Sequence, residues 1–137
     1  MKNIHTSGKR KSAKARAVLK KGSGNISING FSHKNYPNKN CVLMIEEPKV
    51  IAKEVMGEKV EKLDIDVNLD GGGQISGAEA ARLAIAKAYV KYFDDEKLEN
   101  AYDEYDRHLL VADVRRREPR KPHRSGKARA KRQKSYR

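Results

Sequence analysis

Residues 63–69 read Leu-Asp-Ile-Asp-Val-Asn-Leu, an unbroken alternation of apolar and polar side chains. Successive side chains of a strand point to opposite faces. The period therefore predicts a strand with Leu63, Ile65, Val67 and Leu69 on a core and Asp64, Asp66 and Asn68 outside. Ala13, Ala15, Ala17 and Leu19 alternate with Lys14, Arg16 and Lys20, which predicts a second strand with one packed and one basic face. A helix over this stretch would mix alanine and charge on both faces. Ile26 and Ile28 alternate with Ser27 and Asn29. The turn signal Gly22-Ser23-Gly24-Asn25 lies between, so 13–20 and 25–29 are expected to form a β-hairpin. Residues 3–8 are expected to add a further strand.

The period then changes. Pro48, Val50, Ile51, Val55 and Met56 followed by Gly57 predict a short helix, with proline in its first turn and glycine at its C-terminal cap. Asp70-Gly71-Gly72-Gly73 breaks the strand. Ser76 with Glu79 three positions on reads as a capping box, opening a helix over about Gly77 to Phe93. Ala81, Ala84, Ile85, Ala88, Tyr89 and Tyr92 share one side of it, and the alanines allow close approach to a sheet. Asp94-Asp95-Glu96 predicts a second, acidic helix reaching about Tyr105. Leu109, Leu110 and Val111 within Arg107 to Val114 are expected to anchor the chain to the core. Strands followed by helices on one face of a mixed sheet make a single α+β domain over 1–114. No internal repeat is visible.

Charge changes the picture. The net charge of +13 over 137 residues is unevenly placed. Residues 1–21 carry eight Lys or Arg and no acid, residues 115–137 carry twelve against the single acid Glu118, and the middle is −6. A mildly acidic globular middle with two basic ends points to a polyanion partner. Residues 115–137 hold only Ala128, Ala130 and Tyr136 as apolar side chains. Such a segment buries too little apolar surface to offset its ordering entropy, so it is expected to be a basic tail, disordered until nucleic-acid phosphates order it. Fully extended it would reach roughly 75 Å, and Pro119 and Pro122 resist helix at its start. The single cysteine, Cys41, excludes an intrachain disulfide and suits a reducing compartment. The first residues lack the apolar core of a signal peptide and no apolar run suits a bilayer, so a soluble, cytoplasmic protein is expected, with no membrane partner.

Candidate chemistry is sparse. Gly71-Gly72-Gly73 before a helix admits two readings, a turn needing positive φ or close approach to a nucleic-acid backbone at the helix N-terminus. It is neither a Walker sequence nor a dinucleotide fingerprint. His5, His33, His108 and His123 are scattered, so no zinc site, no other metal and no cofactor is expected. Asp64 and Asp66, like Asp103, Glu104 and Asp106, read as solvated faces. Nothing suggests an enzyme or a small-molecule substrate. Solubilising charge is normally interspersed with acids, whereas Lys9, Arg10, Lys11, Lys14, Arg16, Lys20 and Lys21 have none among them. Tyr136, the one aromatic of the tail, suits stacking on a base.

Four stretches together resemble a known family. They are Ser7-Gly8-Lys9-Arg10-Lys11-Ser12-Ala13 with Ala15-Arg16-Ala17; Gly71-Gly72-Gly73 before a helix with Arg82, Ala84 and Lys87; Tyr105-Asp106-Arg107 with Leu109 to Asp113 and Arg115-Arg116; and Gln133-Lys134-Ser135-Tyr136-Arg137. The chain resembles ribosomal protein S nine of the small subunit, in its archaeal and eukaryotic form, over essentially its whole length. The resemblance implies the fold shared with the second domain of ribosomal protein S five. It implies binding to small-subunit ribosomal RNA in the head, beside neighbouring head proteins. Carried over, the RNA-binding set is Lys9, Arg10, Lys11, Lys14, Arg16, Gly71, Gly72, Gly73, Arg82, Arg115, Arg116, Arg117, Arg120, Lys121, Arg124, Lys127, Arg129, Lys131 and Arg132. Lys134, Ser135, Tyr136 and Arg137 would meet the anticodon stem-loop of transfer RNA in the peptidyl site, Arg137 pairing with a phosphate. The chain departs from the family's pattern at Gly77, where glutamine is usual, and at Tyr136, where bacterial members have lysine.

Two other classes explain the charge less fully. An architectural DNA-binding protein with basic arms would share it but sediment with chromatin. An RNA-processing enzyme subunit on the same fold would need a catalytic cluster, which the residues do not supply.

Overall fold

A computed structural model describes residues 3–131 and 133–136. Five strands form one mixed sheet: β1 (Ile4–Arg10), β2 (Ala13–Lys21), β3 (Ile26–Ile28), β4 (Phe31–Ser32) and β5 (Leu63–Asp70), in the order β1-β2-β5-β3-β4. The pairs are antiparallel except β3 with β5, which is parallel. Three α-helices, α1 (Lys39–Met56), α2 (Gln74–Phe93) and α3 (Glu96–Tyr105), complete the α+β domain.

The expected hairpin of β2 with β3 does not form. β2 instead pairs with β1 through a turn at Lys11, where φ is +52°. β5 inserts between β2 and β3, and its Leu63, Ile65 and Val67, larger than the alanines of β2, are buried at the centre of the sheet. The Gly22–Asn25 stretch therefore crosses the end of β5. The Asp64 carboxylate stitches it down by accepting from the Ser23 and Asn25 backbone N–H groups, both at 2.8 Å.

The helices pack on one face. Ala13, Ala15, Ala17 and Leu19 of β2 lie beneath α2, whose Ala80, Ala81, Ala84 and Ala88 are fully buried. The closeness is measurable at Gly8, where an added Cβ would stand 2.2 Å from the Ala80 carbonyl oxygen. Thr6 completes this contact by donating to the Ala84 carbonyl at 2.7 Å.

Two helix starts differ from expectation. α1 begins nine residues before Pro48, capped by Asn38, whose side chain accepts from the Asn40 N–H at 2.9 Å. Cys41, Ile45, Pro48 and Ala52 then share its buried face at helical spacing, so proline sits in the interior. α2 begins at Gln74 with Gly73 as its uncapped N-terminal residue, and the Ser76–Glu79 capping box does not form. Glu79 instead turns to Arg10 at 2.8 Å, which uses the carboxylate the box would have needed. Gly57, with φ at +67°, closes α1 as expected, and Asp95 caps α3. Leu109 is buried, Leu110 half-buried and Val111 exposed, so the anchor before the tail is mainly Leu109.

Candidate nucleic-acid interface

The antiparallel register brings the β1–β2 turn, the end of β5 and the start of α2 to one end of the domain. Lys14 stands opposite Asp70 on β5 and opposite Lys9 on β1; Ser7 faces Arg16, which faces Asn68 across the other edge. Like charges directly opposite one another destabilise a sheet. Among the described residues none of Lys9, Lys11, Lys14 and Arg16 pairs with an acid. Their side chains lie on the helix-free face or on the turn and are exposed.

The glycine triplet lies against this turn. Gly71 and Gly72 have φ of +68° and +73°, and a Cβ at Gly72 would meet the Ala13 Cβ at 2.6 Å. The turn reading is therefore sufficient for these two. Gly73 is different, with extended backbone and nothing within 4 Å of an added Cβ. Its exposed neighbourhood is the N-terminus of a 20-residue helix, where free N–H groups and the helix dipole favour an anion.

The root of the tail returns to the same end. Arg115, Arg116 and Arg117 line an open notch of about 710 Å³ with Lys11 and Ser12. The structure thus gathers residues 9–16, the glycine turn and 115–117 from three separate stretches of sequence.

Two arginines of the expected set are used differently. The Arg82 side chain is 13% exposed and is gripped by Glu47 of α1 at 2.6 Å and Asp106 at 2.8 Å. Arg10, equally covered, pairs with Glu79 and with Asp113 at 3.3 Å. Both guanidiniums tie helices, sheet and chain together, and neither is presented at the surface as a free cation. Asp106 is correspondingly more than a solvated acid. Burial alone would raise its carboxyl, but the His108 backbone N–H and the Arg82 guanidinium hold it below the usual range.

Asp66 likewise does more than face solvent, since it pairs with Lys20 at 2.5 Å and accepts from the Ser27 hydroxyl. These acids were missed because spacing shows which face a carboxylate is on and not which cation reaches it. The Arg82 and Asp106 positions are separated by 24 residues, with no local signal linking them.

Beyond Arg117 the described residues form no helix or strand and are exposed apart from Ala128. The tail doubles back rather than running straight. Glu118 accepts from Arg129 Nη2 at 2.6 Å and from its Nε at 3.0 Å. Lys127 N–H donates to the Arg124 carbonyl at 2.9 Å. Arg120, Lys121, Arg124, Lys127, Lys131, Lys134, Ser135 and Tyr136 all lie along this exposed segment, away from the notch lining. Arg132 and Arg137 fall outside the described residues. Among the described residues no group of acids, histidines and cysteine gathers as metal ligands, and no helix is long and apolar enough to cross a membrane.

Gly77 has a structural cause in this chain. It is buried beneath Tyr36, whose hydroxyl donates to the Gln74 carbonyl at 2.7 Å and would stand 2.9 Å from an added Cβ. A glutamine here would require Tyr36 to move.

Fold and charge define a small α+β domain with a cationic end and a basic C-terminal segment. A family model described as Ribosomal protein S9/S16 matches residues 8–137, and the chain belongs to that family. Three relatives carry the name small ribosomal subunit protein uS9. That of Thermoplasma acidophilum is 50% identical over 132 residues, covering 96% of this chain and 98% of the relative. That of Picrophilus torridus is 48% identical over 130 residues, covering 95% and 94%. That of Methanococcus vannielii is 44% identical over 138 residues, covering both chains completely. The family is a ribosomal one and its named relatives are not enzymes.

Proposed function

We propose that this chain is a non-catalytic constituent of the small ribosomal subunit, working in the cytoplasm within the ribosome. The cationic end of its domain docks on small-subunit ribosomal RNA in the head. The tail threads onward so that Lys134, Ser135, Tyr136 and Arg137 meet transfer RNA in the peptidyl site. The observation that carries the docking is the meeting of Lys9, Lys11, Lys14, Arg16, the α2 N-terminus and Arg115–Arg117 at one end, where Asp70 stands opposite Lys14 in the register but, among the described residues, no acid forms a salt bridge with these lysines. Such an array costs repulsion when empty and recovers it on binding phosphates. Gly73 suits the closest approach of a phosphate, Gly71 and Gly72 shape the turn that presents it, and Arg10 and Arg82 hold the platform rigid beneath it.

Arg120, Lys121, Arg124, Lys127, Arg129, Lys131 and Arg132 supply the positive track of the tail. Phosphate competes with Glu118 for Arg129, which opens the fold-back at little cost because water and salt screen an ion pair this exposed. The names of the relatives favour this reading over an architectural DNA-binding protein. Deletion of Ser135 to Arg137 tests it in reconstituted subunits. The expected result is normal incorporation into the subunit peak on sedimentation with weakened peptidyl-site transfer RNA affinity. Unchanged affinity removes the tail's role, and absence of the full chain from the subunit peak removes the reading as a whole.

A further inference from the structure

An acid is covered at the point where the chain leaves the domain. The Asp113 side chain is 10% exposed and lies between two arginines. Arg10 of β1 brings Nη2 to 3.3 Å. Arg115 donates to it from its backbone N–H at 2.9 Å, from Nε at 3.0 Å and from Nη2 at 2.7 Å. Arg116 adds a bond from Nη1 to the Asp113 carbonyl oxygen at 2.8 Å. Arg10 is itself held by Glu79 of α2. A continuous series of charges, Glu79 to Arg10 to Asp113 to Arg115, therefore runs from the helix layer through the sheet edge into the tail. The Arg115 guanidinium and backbone N–H, with Arg10 beside them, hold the Asp113 carboxyl well below the usual carboxylate range.

We propose that Asp113 is the positioning residue of the cationic notch, fixing the direction in which the tail leaves and setting Arg115, Arg116 and Arg117 against Lys11 and Ser12 as one phosphate-binding surface. This rests on the RNA-docking reading above. The Arg115 side chain remains 77% exposed while its carboxylate partner is covered, so its outer N–H groups stay available to a ligand. The bond from Arg116 to the Asp113 carbonyl places the second arginine by the same residue.

The sign of one substitution separates positioning from simple electrostatics. An acid beside a polyanion site repels the ligand, so by charge alone its removal tightens binding. A positioning acid gives the reverse.

The experiment measures binding of the full chain to an in vitro transcript of Thermoplasma acidophilum small-subunit ribosomal RNA. Asp113→Asn is expected to weaken binding about three- to tenfold, the loss of roughly one or two phosphate contacts. Asp113→Glu is expected to recover part of it, and Asp103→Asn, an exposed acid outside the series, to leave it unchanged or slightly tighter. Equal or tighter binding by Asp113→Asn overturns the proposal. If that variant does not fold, backbone ¹⁵N relaxation of the unsubstituted chain decides. Order parameters near those of the core, about 0.85, at residues 113–116 support the clamp, and values below about 0.6 overturn it. A full chain that fails to bind the transcript overturns the docking reading and the notch with it, while the relaxation data still report separately on the hold of Asp113.

Discussion

Tyr102 on α3 donates its hydroxyl to the carbonyl oxygen of Pro48, 2.7 Å away in the middle of α1. Both side chains are fully buried. A proline inside a helix removes one backbone donor and crowds the preceding turn. Here it lies on the packed face, and the neighbouring helix braces the backbone at that residue. Tyr102→Phe removes the hydroxyl without opening a cavity. The expected cost is about 1 kcal/mol, read as a Tm lower by a few degrees.

The tyrosines also set an alkaline limit. Burial holds the phenols of Tyr89 and Tyr102 above their ordinary value. A folded value above the unfolded one means their contribution is complete below the unfolded pKa of about 10 and is lost as pH rises through the folded value. Absorbance titration should show these two of the six tyrosines ionising only as the fold is lost. Ionisation of all six with the circular dichroism intact would contradict this.

Glycines separate the fold from its use. A Cβ at Gly8 would lie 2.2 Å from the Ala80 oxygen and 2.9 Å from the Ala84 nitrogen, both backbone atoms that cannot turn away. Gly8→Ala is expected to cost at least about 3 kcal/mol in urea denaturation. Gly73→Ala meets nothing within 4 Å and changes only a helix N-cap, at about 0.5–1 kcal/mol. If Gly73→Ala keeps the fold and weakens binding to ribosomal RNA, the triplet approaches a phosphate backbone. Unchanged binding leaves it as a turn.

The strict alternation of Leu63 to Leu69 identified β5, and the acids before Lys97 identified the start of α3, because each signal is local. Partner choice is not local. The alternation of Ala13 to Leu19 shows which face is packed, yet its pairing with β1 and β5 rather than β3 depends on where β5 inserts. Pro48 misled for a similar reason, since a proline favours a first turn only when no upstream apolar face continues the helix, and Cys41 and Ile45 continue this one. The basic ends stood out in the sequence as a count of charges. That Arg10 and Arg82 face inward depends on Glu79, Asp113, Glu47 and Asp106, which reach them only in three dimensions.

The ion-paired aspartates give an acid limb. Asp66, Asp106 and Asp113 all have carboxyls held below their ordinary value of 3.8. Lowered folded values contribute stability that is present above the unfolded pKa and lost as pH falls through the folded one. Asp106→Asn removes the pair with Arg82 and weakens the turn at His108. With Asp106 partly exposed, the expected cost is about 1 kcal/mol at pH 7. The gap between this variant and the unsubstituted chain should narrow as pH falls below 3.8 and through the lowered folded value, where the unsubstituted chain protonates Asp106 and the variant has no carboxylate there to lose. A gap that widens toward low pH would contradict the assignment.

Salt dependence of binding to small-subunit ribosomal RNA is the direct test of docking through the cationic end and tail. If about ten phosphates are engaged, the log–log slope for the full chain is roughly −7 to −9. Ending the chain after Val114 leaves the domain's own contacts, about four, and a slope of roughly −3 to −4. A slope near zero for the full chain, or one that truncation does not change, would contradict the account.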